Sequence, residues 1–262
     1  GCCEVGEGLS PRTVLQTHRI LKKGLNQAMR WNLIGRNPVN LVDPPSFEAK
    51  EMLALDTHQL AMLLKHAEGS KFGPVFHLAA FTGLRRGELA GLKWQDVDLD
   101  NGFISVRREI IFVPGEGHLT THPKSQSSRR TVDITDTTTT VMRRHRSKQA
   151  QHRIYVESVW KDEGWVFTNP DGGHVNPNAL SRAFKVLREE LGLPPVRLHD
   201  LRHTHASILL RQGIHLKVVQ ERLGHSTIAI TGDIYSHVVP GLQKAAAHSF
   251  EDTMGEVVEA AS

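Results

Sequence analysis

The stretch LHDLRHTHAS, Leu198 to Ser207, decides how this chain is read, together with LGHSTIAITGDIYSH, Leu223 to His237. His199 and Arg202 stand three apart, which on a helix puts both on one face. Leu198, Leu201, Ile208 and Leu209 recur at helical spacing and are expected to bury the other side. A His and an Arg on the exposed face of an otherwise apolar helix form a candidate site for an anion. Gly224 marks a helix end and presents His225 just past it, and Tyr235 follows. Two imidazoles, a guanidinium and a phenol suit phosphoryl transfer, with the phenol as nucleophile.

Composition sets looser bounds. The 262 residues hold 39% hydrophobic residues, enough for a real core. Lys and Arg number 32 against 28 Asp and Glu, a net charge of +4 that suits DNA without requiring it. Both cysteines, Cys2 and Cys3, lie at the N-terminal end, so no disulfide framework is expected, which suits a reducing cytoplasm. HLTTH (His118 to His122) and HTH (His203 to His205) resemble metal pairs only faintly and no Cys lies near them, so no metal is expected. No apolar run is long enough to span a membrane, and no signal peptide is visible.

Upstream, Ser10-Pro11 reads as a cap and first helical position. Val14, Leu21, Leu25 and Ala28 form an apolar stripe through Trp31, with Arg12, Arg19, Lys22, Lys23 and Arg30 around the rest. That basic surface is either simply solvated or laid on DNA phosphates. Asn37-Pro38 through Pro44-Pro45 reads as a linker. A new unit starts near Leu53, with Asp56 or Thr57 capping a helix that carries Leu60, Leu63 and Leu64. A second apolar helix over Phe76 to Phe81 is broken by Thr82-Gly83. In LRRGELAGLKW, Leu84 to Trp94, Arg85 falls at the start of a helix, where backbone N–H groups favour an anion. Glu88 can hold an arginine there, or the two are an ordinary surface pair.

Phe103 to Val106 and Glu109 to Val113 read as strands, Gly115-Glu116-Gly117 as a turn, and Thr131 to Ile134 as a strand pairing back. Between them runs the polar loop HPKSQSSRR, His122 to Arg130, with Lys124 able to reach a site as proton donor or phosphate contact. A basic helix over 136–152, a short strand over Trp165 to Phe167 and a helix over Asn176 to Leu191 lead back to the starting stretch. Leu216, Val219 and Leu223 mark a short helix ending at Gly224.

These motifs together resemble the tyrosine recombinases, the phage integrase and Xer-type group. TGLRRGEL resembles the family's first arginine box, with Arg85 and Glu88; KSQSSRRTV carries Lys124; HDLRHTHAS matches the second box, with His199 and Arg202; LGHSTIAITGDIY matches the third, with His225 and Tyr235. The resemblance covers residues 50 to 240, and 10 to 45 are similar to the end of the family's core-binding domain.

The resemblance implies a fold that is mainly α with a small antiparallel β-sheet. Residues 1–45 would be the C-terminal remnant of a helical core-binding domain plus linker, and 50–262 the catalytic domain. It implies site-specific cleavage and rejoining of double-stranded DNA through a 3′-phosphotyrosine, with no cofactor. Arg85 and Arg202 would clamp the phosphate, Tyr235 attack it, His199 take the phenolic proton, Lys124 protonate the leaving oxygen and His225 hydrogen-bond the phosphate. Arg12, Arg19, Lys22, Lys23, Arg129 and Arg130 are expected on the DNA. The chain would be a monomer in free solution and a homotetramer on two duplexes. The helix suggested by Val238, Val239, Leu242, Ala245 and Ala246 would dock on a neighbouring protomer rather than on its own domain. The alternatives are a catalytically silent truncated integrase that only binds DNA, and a type IB topoisomerase-like enzyme.

Overall fold

The structure, a computed structural model, describes residues 8–46, 53–121 and 129–235, and positions 248, 250, 251 and 254. The side chains of Ile230 and of residues 233–235 fall outside that description, as do Lys124 and the helix expected after Tyr235. The chain divides into two compact units, Gly1–Glu51 and Met52–Ser262. No helix among the described residues is long and apolar enough to cross a membrane.

In the first unit, α1 (Pro11–Arg30) starts as expected: the Ser10 hydroxyl accepts from Thr13 N at 3.2 Å, and Pro11 needs no donor there. No residue of α1 is buried. The proline-flanked stretch after it is more ordered than a linker. Asn37 is buried, donates to Lys22 O (3.1 Å) and Asn26 Oδ1 (2.8 Å), and accepts from Val39 N (2.9 Å). It thereby staples a 3-10 turn, Pro38–Leu41, to α1.

The second unit is helical with two small antiparallel ribbons. α2 (Thr57–Ala67) opens on a reciprocal cap in which Asp56 Oδ1 accepts from Gln59 N and Gln59 Oε1 from Asp56 N. α3 (Gly73–Thr82) is apolar on every side, which makes it the central helix. It packs against α2, against α4 (Arg86–Ala90), against α5 (Asp136–Val156) and against α7 (Asp200–Arg211). Phe76 of α3 meets Phe184 of α6 (Pro177–Glu190) edge to face at 5.5 Å. α3 stops at Gly83, whose φ of +65° is left-handed. A Cβ there would meet Leu223 Cδ2 at 2.5 Å, so glycine lets the Leu223 side chain pack this close.

The strands β1 (Val97–Asp98), β2 (Phe103–Val106) and β5 (Arg130–Asp133) form one sheet in the order β1-β2-β5, with the buried pair Ile104 and Val132 in register. β3 (Glu109–Val113) pairs with β4 (Gly117–Thr121) as a hairpin. β4 was not anticipated, because its opening glycine belongs to the turn signal. The strand expected over Trp165 to Phe167 is only an isolated bridge, Lys93 with Trp165, with a second bridge, Thr168 with His174, just beyond it. Side chains of α5 fasten this segment instead: Gln149 Nε2 donates to Trp165 O and Val166 O, both at 3.1 Å.

Two short helices follow, α8 (Leu216–Leu223) and α9 (Ile228–Tyr235). Tyr235 is the last residue of α9.

Candidate active site

The C-terminal end of α8 is where the candidate site residues come together. Its last carbonyls have no partner within the helix and must find donors elsewhere. Gly224, left-handed at φ +68°, closes the end: His225 N donates to Gln220 O (3.1 Å) and Gly224 N to Glu221 O (3.0 Å). The next three carbonyls each accept from a different arginine. Arg130 Nε reaches Arg222 O at 2.7 Å, Arg202 Nη2 reaches Leu223 O at 2.6 Å, and Arg85 Nη2 reaches Gly224 O at 2.9 Å. Cations here also face the negative end of the helix dipole.

Glu88 links two of these arginines. Buried at 3% exposure, it accepts from Arg85 Nη1 (2.7 Å) and Arg85 N (2.8 Å), and bidentately from Arg130 Nη1 (3.0 Å) and Nη2 (2.9 Å). Burial pushes its carboxyl up, but the hydrogen bond and charge of Arg130 and the charge of Arg85 outweigh that and hold it at about 2. One carboxylate thus faces two guanidiniums, with Arg202 beside them.

Arg202 corrects one expectation. It lies not on an exposed face but at 2% exposure, because Gly83 O (2.8 Å) and Leu223 O draw its guanidinium into the protein. His199 takes the cap position of α7 rather than a place within it, and is exposed. Its ring meets His203 edge to face at 5.4 Å. Partial burial, then the charges of His203 and Arg202, push its pKa down to about 4. Burial, then Arg202 and Arg85, push His225 to about 3. Both imidazoles are therefore neutral at pH 7. His225 is fixed by Thr231 of α9, with Nδ1 and Oγ1 at 2.8 Å.

Arg85 and His199 line one cleft of about 360 Å³, with Glu109, His118 and Asn178 on its walls. A groove of about 830 Å³ beside Asp96 and a cavity of about 350 Å³ beside Phe72 contain none of the predicted site residues. No cluster of metal-ligating side chains occurs among the described residues. Lys124 lies outside them, and Tyr235 is located only by its backbone, one turn after Thr231. The other tyrosine of the chain, Tyr155, is exposed in the last turn of α5.

Of the basic residues expected on DNA, Arg12, Arg19, Lys22, Lys23 and Arg129 are exposed. Arg130 is not: its side chain is 6% exposed and engaged with Glu88 and Arg222 O, so its charge is spent inside the protein. Sequence reasoning also passed over Arg222 and Thr231, and weighed His205 only as part of a faint metal pair. Arg222 donates to Phe81 O and Asp133 O (3.0 Å each) and to His205 Nε2 (3.1 Å), while His205 Nδ1 bonds Ala80 O (2.9 Å). These contacts tie α8 to α3, α7 and the end of β5.

This fold and arginine cluster define a class, and comparison with known proteins identifies it. Residues 52–241 match the phage integrase family. The chain is 30% identical to a XerC-like tyrosine recombinase of Caldanaerobacter subterraneus subsp. tengcongensis, over 94% of this chain and 67% of that protein. It is 29% identical to the ICEBs1 integrase of Bacillus subtilis over the same shares. Among solved structures, the Tn1549 transposon integrase in complex with a circular intermediate DNA superposes with a TM-score of 0.77 at 24% identity, over 93% of this chain and 80% of that one. XerA recombinase does so with a TM-score of 0.59 at 24% identity, over 82% and 69%. The chain belongs to the phage integrase family, the tyrosine recombinases, and is a site-specific recombinase.

Proposed function

We propose that this recombinase cleaves and rejoins double-stranded DNA through a covalent 3′-phosphotyrosine at Tyr235. The observation that carries this reading is the arginine cluster at the end of α8, set beside neutral His225 and followed by the tyrosine-bearing helix. Relatives that bind DNA by their descriptions support the same partner.

In this mechanism Arg85 and Arg202 neutralise the non-bridging oxygens of the scissile phosphate and stabilise its five-coordinate state. The Tyr235 oxygen attacks phosphorus and the bond to the 5′-oxygen breaks. The phenolic proton passes to His199, which is neutral and able to accept it; the phosphate's negative charge raises its basicity once DNA is bound. Lys124 gives a proton to the departing 5′-oxygen. His225 donates to a non-bridging oxygen through Nε2–H when the Thr231 hydroxyl donates to Nδ1. The covalent linkage keeps the energy of the broken bond, so attack by another strand's 5′-hydroxyl reverses the step without ATP.

The exposed basic residues of α1 and Arg129 contact phosphates, residues 1–45 belong to a core-binding domain, and four protomers act on two duplexes in the cytoplasm. The test is covalent capture. A pool of nicked duplexes with randomised cores is incubated with the chain, and covalent adducts are recovered on a denaturing gel. Recovery of a discrete duplex family supports the reading. A chain that retains DNA without forming any adduct is a silent binder; relaxation of supercoiled DNA without strand exchange would make it a topoisomerase.

A further inference from the structure

We infer that Arg130 is a positioning residue for the strand-cleavage reaction, acting through Glu88 and the end of α8 rather than on DNA. The inference rests on the assignment of Arg85 and Arg202 to the scissile phosphate.

The geometry is that of a bracket. The flat guanidinium of Arg130 puts two nitrogens on the Glu88 carboxylate and turns its third, Nε, to Arg222 O. Glu88 in turn holds Arg85 by both its backbone and its side chain. The carbonyls just after Arg222 O hold Arg202 and Arg85. Arg130 therefore fixes the separation between the carboxylate that aims Arg85 and the helix end that aims Arg202. Arg85 is common to both sides, so a shift of α8 relative to Glu88 moves the two phosphate-binding arginines against each other.

The residue type follows from this task. A lysine has one charged nitrogen without the planar fork and cannot hold a carboxylate bidentately while reaching a carbonyl on its third side. Arg130 comes from the first position of β5, so the sheet supplies a rigid base for the bracket. Arg222 reinforces the same joint by bonding Asp133 O at the other end of β5.

Three readouts on one captured duplex test this. Cleavage is measured as a single turnover at saturating DNA, affinity and its salt dependence in a Tyr235→Phe background, and stability by melting. Arg130→Lys and Arg130→Met are compared with Glu88→Gln and the charge-matched double variant Arg130→Met/Glu88→Gln, which leaves no carboxylate buried without its partner. A displacement of ~1 Å at a reacting group costs on the order of 100-fold in rate. We expect a loss of that order for Arg130→Lys, with DNA affinity and salt slope unchanged. The double variant should be no slower than the slower single variant, because both act through one link. Weaker binding with a salt slope shallower by about one unit, at undiminished saturated rate, would make Arg130 a phosphate contact and overturn the inference. Lower melting temperatures with wild-type cleavage by the folded protein would reduce it to a structural residue. Absence of an adduct with the unaltered chain would instead overturn the assignment on which the inference rests.

Discussion

His225 and Thr231 are joined by a hydrogen bond of 2.8 Å between Nδ1 and Oγ1, with Thr231 fully buried. This bond ties the residue at the end of α8 to the helix that ends in Tyr235. Thr231→Val keeps the shape and removes the hydroxyl. A hydrogen bond of this kind contributes about 0.5–1.5 kcal/mol, so cleavage should slow between about twofold and tenfold. Thr231→Ser should retain most of the rate. Single-turnover cleavage of a captured duplex reads both variants, and equal rates for Val and wild type would remove the link from the reaction.

Gly83→Ala should destabilise the second unit. The residue has φ +65°, and its Cβ would meet Leu223 Cδ2 at 2.5 Å and His205 Cδ2 at 3.2 Å. Left-handed strain and overpacking each cost about 1–3 kcal/mol. Chemical denaturation should show a loss of ~2–6 kcal/mol from these terms together. An unchanged midpoint would mean that α8 can withdraw from α3 without loss.

Stability should fall in acid in two stages. His225 is held at about 3 against an ordinary 6.5, so the unfolded chain takes up this proton first and stability declines as the pH drops below 6.5. Glu88 is held at about 2 against an ordinary 4.5, so its contribution is complete above pH 4.5 and is lost as the pH falls through about 2. That contribution is roughly 3 kcal/mol at neutral pH. Glu88→Gln should flatten the lower stage and leave the upper one. A variant with the wild-type slope below pH 4.5 would show that Glu88 carries no such contribution.

The helix boundaries were legible because their signals are local. Ser10, Asp56 and Asn176 cap the helices they precede, and Gly83 and Gly224 end theirs in left-handed conformation. The candidate residues Arg85, Glu88, His199, Arg202 and His225 were picked out by motif, but the burial of Glu88, Arg202 and His225 was not legible. Arg202 reads as an exposed charge until Gly83 O, 119 residues away, accepts from it. Arg130 sits in a polar run beside Arg129, and partners 42 and 92 residues away turn it inward. β4 was hidden because His118, Leu119 and Thr120 gain strand character only opposite Phe112, Ile111 and Ile110.

In the proposed mechanism Arg85 and Arg202 neutralise the phosphate in place of a divalent ion, so cleavage should be unaffected by EDTA. Loss of adduct in EDTA and its recovery on adding a divalent ion would contradict this.

The most direct measurement is to locate the covalent bond. The adduct on a captured duplex is digested with nuclease and protease, and the peptide bearing residual nucleotide is sequenced by mass spectrometry. The chain contains two tyrosines, Tyr155 and Tyr235, which fall in different helices. The account predicts a nucleotide on Tyr235 through its 3′-phosphate, with no adduct from Tyr235→Phe and full adduct from Tyr155→Phe. A nucleotide on any other residue, or an adduct that survives Tyr235→Phe, would contradict it.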